Sequence, residues 1–297
     1  MDGVLWALAA AALFSGSGAV DKFILEHRMG SPWSYYAFST FVFFLLYGAL
    51  GAPWGALRWP AEPVLLLAVS ALSWGSIALY YLALREGDLS SVLPLGATRP
   101  LLAIPLAMLL IGEFRGPGVA GGIALAAVGG VLSAWPEKGG LRGALASRVL
   151  WLVLAANLLI VVANTLTNPL LRAMEPAQLA FWRYGLWCLL FVPVFALRPS
   201  VLGAVRREWR RALAPTLLSA ALVYGFLLAL FAALASSVQL TEGLLATQGL
   251  FGVAIGAALA RLGPGLLRES RPVRVYAIRG TGALLIVAGA ALMVLTA

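Results

Sequence analysis

The sequence predicts an all-α integral membrane protein of ten transmembrane helices, arranged as two inverted five-helix repeats. Three observations point there. Of the 297 residues, 62% are hydrophobic and 11% charged, against about 45–50% and about 25% in an ordinary soluble domain. The apolar residues fall in long continuous runs, each near the roughly 20 residues a spanning helix needs. They lack the two-residue alternation of a membrane β-strand. Finally, one polar break rich in Gly, Pro and charge, from Pro136 to Arg148, divides the runs five and five.

In chain order the expected spans are 4–24, 32–51, 64–84, 89–111 and 117–135, then 149–171, 177–197, 212–235, 238–260 and 276–296. Residues 1–136 form the expected first repeat, 137–148 a linker and 149–297 the second repeat. The first apolar run is kept as a span because Met1-Asp2-Gly3 lacks the positive start of a signal peptide. Matching features recur in the same order in both halves. Leu5-Trp6 opens span 1 and Leu150-Trp151 span 6; Pro32 opens span 2 and Pro176 span 7. Trp74-Gly75 aligns with Tyr224-Gly225, and Gly96-Ala97-Thr98-Arg99 with Leu245-Ala246-Thr247-Gln248. Gly122 and Gly129 in span 5 align with Gly282 and Gly289 in span 10. A repeat with an odd number of helices must enter the membrane from opposite sides in its two copies, which inverts one copy relative to the other.

The net charge is +9, from 19 Arg, 2 Lys and 12 acids. Loops 1, 3, 5, 7 and 9, with the span ends that flank them, hold 16 of the 21 basic residues, including Arg206-Arg207 and Arg210-Arg211. Loops 2, 4 and 6 hold one each: Arg58, Arg115 and Arg172. The positive-inside rule therefore places the odd loops in the cytoplasm and both termini outside, in a bacterial or archaeal plasma membrane. The same rule explains the basic total without nucleic acid. Cys188 is alone and His27 is the one histidine, so a disulfide framework, a cysteine metal site and a Ser-His-Asp triad find no support.

The run Tyr80-Tyr81-Leu82-Ala83-Leu84, the polar stretch to Ser91, then Pro94, Pro100 and Gly112-Glu113, resembles an EamA-type repeat of the drug/metabolite transporter superfamily. The glycine-rich helix with Gly121-Gly122 and Gly129-Gly130, and Pro176 with Arg183 seven residues on, are similar to the same family. The resemblance implies a secondary transporter built from two such repeats. Helix 1 carries no acid between Ala9 and Ser17, unlike the small multidrug resistance proteins, which argues against export of bulky cations by their mechanism.

Ionisable groups at membrane depth are costly and face a cavity or a partner. Arg99, Arg183 and Glu242 are placed there. The arginines could hold a carboxylate or phosphate through their planar fork of donors, with Glu242 binding an amine or carrying a proton; alternatively an Arg–Glu pair locks helices together. Asn157, Asn164 and Asn168 share one face of span 6 by their spacings of seven and four, as a cavity wall or a packing seam. Thr98, Gln239 and Gln248 extend the polar set, and Trp74, Tyr81 and Tyr224 could stack on a substrate or simply pack. Asp21-Lys22 read as an interfacial pair, Glu113 as the end of span 4, and Gly118-xxx-Gly122 and Gly252-xxx-Gly256 as helix seams.

The expected activity is secondary transport of a small polar metabolite, amino acid or organic anion by alternating access around a central cavity. A lipid-carrier flippase or scaffold is the alternative. An intramembrane enzyme is disfavoured because Asp2, Asp21 and Asp88 are too dispersed for a metal pyrophosphate site and His27 lies beyond its span. No Gly-x-x-x-x-Gly-Lys-Ser/Thr motif occurs, so the energy is expected to come from a gradient or from the substrate itself, and no cofactor is expected. The expected partners are the small-molecule substrate and the lipid bilayer, with the chain a monomer or homodimer.

Overall fold

The computed structural model describes residues 2–113, 116–133, 147–262 and 273–296. All regular structure among them is helical. The elements are α1 (Asp2–His27), α2 (Pro32–Gly51), α3 (Pro63–Glu86), α4 (Leu89–Leu95), α5 (Arg99–Ile111), α6 (Pro117–Ser133) and α7 (Arg148–Leu170). Then follow α8 (Pro176–Leu197), α9 (Pro199–Leu234), α10 (Val238–Leu245), α11 (Gln248–Leu262) and α12 (Val273–Thr296). Eight segments are long and apolar enough to cross a bilayer, and two shorter apolar helices cover Pro117–Leu132 and Gly280–Thr296. Large apolar side chains such as Val64, Leu109, Leu197 and Leu295 stand exposed on the outside. The chain is therefore a multi-pass helical membrane protein.

Local chemistry sets the helix ends. Proline opens α2, α3, α6, α8 and α9, where its fixed φ suits the first turn and its missing N–H costs nothing. Gly112 ends α5 in the left-handed region at φ 68°, which lets its N–H reach back to Ala107 O. Ser31 and Ser237 cap α2 and α10 by accepting from the amides of Ser34 and Leu240.

Three expected spans differ in detail. The fourth is not continuous: α4 stops at Leu95, a 3-10 turn covers Gly96–Thr98, and α5 restarts at Arg99. Pro94 and Pro100 flank this turn and remove backbone donors from it. The ninth breaks likewise between Leu245 and Gln248. The eighth begins earlier than expected, because α9 runs 36 residues from Pro199, about 54 Å at 1.5 Å per residue. It extends well past a hydrocarbon core of about 30 Å, so the arginine-rich loop 7 is largely helix. Residues 137–146 of the expected linker lie outside the described residues.

The main helix neighbourhoods of one half have counterparts in the other. Helix α1 packs along α9 and α3 along α7; α5 meets α7 and α11 meets α1. Helix α4 packs on α11 and α5 on α10, while α2 faces α8 and α6 faces α12. The α6–α12 seam runs on glycine: a Cβ on Gly122 would sit 2.7 Å from Gly289 O, and one on Gly129 2.5 Å from Gly282 O. Glycine allows this backbone contact where lipid supplies no hydrophobic drive for helix association. Loops 1, 3 and 7 come together at one end of the molecule: Arg85 donates to Leu25 O, Gly30 N donates to Glu208, and Arg148 at the start of α7 pairs with Glu86 at 3.1 Å. At the other end, Gln178 and Trp182 donate to Arg58 O across loop 2.

Candidate functional site at the crossing of two broken helices

The two breaks meet at the centre of the molecule. A Cβ on Gly249 would lie 2.9 Å from Pro94 Cα, and Gly96 packs directly on the Gln248 amide. The breaks are built alike: Thr98 Oγ1 donates to Leu95 O at 2.8 Å, and Thr247 Oγ1 donates to Leu244 O at 2.7 Å. A side chain from a helix of the opposite half also bonds the backbone at each break. Asn157 Nδ2 on α7 donates to Leu95 O at 3.0 Å, and Ser15 Oγ on α1 donates to Gln248 O at 3.1 Å.

Arg99 is the first residue of α5 and is buried. Its Nε donates to Asn157 Oδ1 at 3.1 Å and one terminal nitrogen donates to Gln248 Oε1 at 3.3 Å. Its guanidinium also lies over the Phe14 ring. All these partners are neutral, and two of five N–H donors are engaged. Thr98 joins the group by accepting from Asn157 Nδ2 at 2.9 Å. Arg183, on α8, is likewise buried; its Nε donates to Ser73 Oγ at 2.8 Å and its guanidinium lies over Trp187. Glu242 bonds neither arginine. Its Oε1 accepts from Asn164 Nδ2 at 2.6 Å, and its Oε2 is buried without a hydrogen-bond partner.

A narrow cavity, with about 70 Å³ open to water-sized molecules, runs between the halves. Among the expected residues, Arg99, Arg183, Asn164, Gln248 and Tyr81 line it. Thr98 and Glu242 stand immediately behind, bonded to Asn157 and Asn164. Three lining groups, Tyr80 Oη, Asn164 Oδ1 and Gln248 Nε2, are buried with no partner among the described residues. Buried polar atoms are almost always paired in folded proteins, so a cluster of unpaired ones in one cavity marks a place for a polar ligand or water.

The other expected residues lie elsewhere. Trp74 packs with Trp33, Tyr36 and Phe191, and Tyr224 packs on Tyr47; neither lines the cavity. Asn168 donates to Leu234 O at 2.7 Å and lines a second cavity near the even-loop end, with Glu113 and Arg172. Gln239 Nε2 donates to Glu113 O at 2.7 Å. Glu113 itself caps α10: its carboxylate accepts from Ser237 Oγ and from the backbone amides of Val238 and Gln239. A carboxylate at a helix N-terminus meets unpaired N–H groups and the positive end of the dipole, so its structural role holds in this more specific form.

The expected Asp21–Lys22 pair is corrected. Lys22 pairs with Glu26 at 3.1 Å and donates to the carbonyls of Leu84 and Gly87. Asp21, one step of about 100° round the helix, faces the cavity instead. Its Oδ1 accepts from Tyr35 Oη and Ser219 Oγ, both at 2.5 Å. Asp21, Tyr80, Tyr184 and Trp187 are cavity residues absent from the expected site. A signal for Asp21 was present: Phe14, Ser17 and Asp21 recur at spacings of three and four, the period of one helix face.

The sequence matches no protein-family model and no curated protein. The fold has a solved counterpart, described only as the crystal structure of a protein, which superposes with a TM-score of 0.70. The likeness covers 99% of this chain and 96% of the other at 20% identity, and at that distance it establishes the fold as one that a solved protein shares.

Proposed function

We propose that the protein is a secondary transporter of a small anionic or zwitterionic metabolite, working by alternating access between two inverted five-helix repeats, ten spanning segments in all. The observation that carries the reading is the pair of helix breaks crossing at the centre, with Arg99 presented to the cavity by hydrogen bonds to neutral side chains. Discontinuous helices meeting at the interface of inverted repeats are a recurrent way of building a transport site. The reciprocal helix neighbourhoods of the two halves support the repeat, and the resemblance to drug/metabolite transporters points to the same activity.

The mechanism follows from the chain's own groups. Arg99 and Arg183 offer donors for a carboxylate or phosphate, and their hydrogen-bond partners are neutral side chains, with Glu242 within electrostatic reach of Arg99. The cavity is too narrow for a metabolite as it stands, so cargo enters only as the surrounding helices part. Rocking one repeat against the other opens the site to one face at a time. The glycine seam of α6 on α12 is a packed pivot outside the cavity. The odd-loop end faces the cytoplasm and the C-terminus faces outward, by loop charge.

Purified protein in proteoliposomes tests the activity against radiolabelled amino acids, organic anions and nucleosides. Saturable uptake of an anionic or zwitterionic member is expected. Uptake confined to lipophilic cations, or scrambling of a labelled lipid with no solute uptake, contradicts it. A reporter active only in the cytoplasm, fused to the C-terminus, should stay silent; a strong signal reverses the orientation.

A further inference from the structure

We propose that Asp21 is the acidic pole of the cavity and binds the cationic end of the cargo, so that the cargo is a zwitterion with an ammonium opposite its carboxylate. This rests on the transport reading above and narrows it.

The helix geometry separates Asp21 from its sequence neighbour. Lys22 is consumed by Glu26 and two carbonyls near the end of α3, while Asp21 shares the cavity face of α1 with Phe14 and Ser17. Among the described residues no Lys or Arg nitrogen comes within 4 Å of the Asp21 carboxylate. Its donors are the hydroxyls of Tyr35, on α2, and Ser219, on α9, with the Tyr81 hydroxyl, on α3, also interacting with it. Hydroxyls orient a carboxylate but carry no charge to neutralise it. A buried carboxylate in that state gains from a cation that arrives with the ligand.

The charge balance of the site selects the same ligand. With Arg99 and Arg183 alone facing Glu242, the centre would be one positive charge in excess and would favour an anion. Asp21 makes the formal sum zero. A zwitterion preserves that balance in a medium where uncompensated charge is costly, whereas a monoanion leaves one negative charge over. The two poles share one cavity: Tyr80 lies within electrostatic reach of both Asp21 and Arg99, and Tyr184 of both Asp21 and Arg183. Between them the walls are apolar, with Phe14, Ile160 and Phe226 available to a hydrocarbon side chain.

Matched trios test the proposal on the full-length protein in detergent and in proteoliposomes. Each trio is an amino acid, the carboxylate lacking its amino group, and the amine lacking its carboxylate: leucine with 4-methylpentanoate and 3-methylbutylamine, and phenylalanine with 3-phenylpropionate and phenethylamine. The wild type should prefer the amino acid of at least one trio over both partners by roughly tenfold or more, an energy of about 1.4 kcal/mol. Asp21→Asn should lose that preference over the carboxylate while still binding the carboxylate; Arg99→Gln should lose the preference over the amine. If Asp21→Asn does not fold, the wild-type preference still decides. Equal binding of amino acid and carboxylate by the wild type overturns the zwitterion proposal but leaves anion transport standing. Binding of no trio member also overturns it, and uptake in the wider panel then judges the transport reading separately. Equal weakening of both ligands by Asp21→Asn assigns the residue to the fold alone and overturns the proposal.

Discussion

The two helix breaks solve the same backbone problem and present different chemistry. Each interrupts a spanning segment at an aligned Ala-Thr pair, each turns its threonine back onto a carbonyl three residues earlier, and each borrows a donor from the opposite half. The aligned residue that follows is Arg99 in one and Gln248 in the other, and these two touch. The shared features belong to the architecture. The difference, a guanidinium against an amide, is where a two-fold scaffold acquires a polar direction. Asparagine against serine repeats the lesson: Asn157 holds a carbonyl, a threonine and the arginine at once, while Ser15 shares its hydroxyl between Gln248 O and Ala11 O.

Changing the packing of the breaks should give the largest effects on folding. Gly249→Ala would place its Cβ 2.9 Å from the Pro94 backbone, which cannot give way, whereas Gly96→Ala meets the movable amide of Gln248. Overpacking of this kind costs about 1–3 kcal/mol. Gly249→Ala should therefore lower the thermal midpoint more than Gly96→Ala, while Gly96→Ala should impair binding by displacing the amide that Arg99 holds. Equal destabilisation by both would show that the breaks do not cross as closely as described.

The donors come next. Asn157→Ala leaves the buried Arg99 Nε without its partner and takes one of two donors from Leu95 O, a loss of about 1–3 kcal/mol. Ser15→Ala removes one interhelical bond in a membrane protein, worth about 0.6 kcal/mol on average. Chemical denaturation of the two variants side by side should rank them in that order, and the reverse ranking would remove the asymmetry argued between the breaks. Similar in size to the Ser15 bond is the cap at the even-loop end. Glu113→Gln keeps the shape but removes the charge from the N-terminus of α10, costing about 0.3–1 kcal/mol. Transport should persist; its loss would move Glu113 from capping into the transport cycle.

Much of the helical layout was legible because lipid demands long apolar runs and proline and glycine mark their ends. The breaks were not, since Pro94, Gly96 and Pro100 read equally well as tolerated residues in a continuous span. The second break carries no proline at all between Val238 and Leu262. Its position is visible only in the structure, at the residues aligned with the first break. The central arginines were legible from their cost in a membrane. Asp21 was misread because adjacency in sequence suggested a pair with Lys22, whereas a helix turns neighbouring side chains about 100° apart. Trp74 and Tyr224 were over-read for the opposite reason: a large aromatic satisfies its packing with other aromatics, as each does here.

The most direct test of the account is paired substitution at Arg99, with uptake into proteoliposomes and the thermal midpoint measured on the same preparations. Arg99→Lys keeps the charge without the planar fork and should transport weakly. Arg99→Gln removes the charge and should abolish uptake of the anionic or zwitterionic cargo, with the protein still folded. An Arg99→Gln protein that transports at the wild-type rate and only melts earlier would make the arginine a helix lock, and the central cavity would lose its claim to be the transport site.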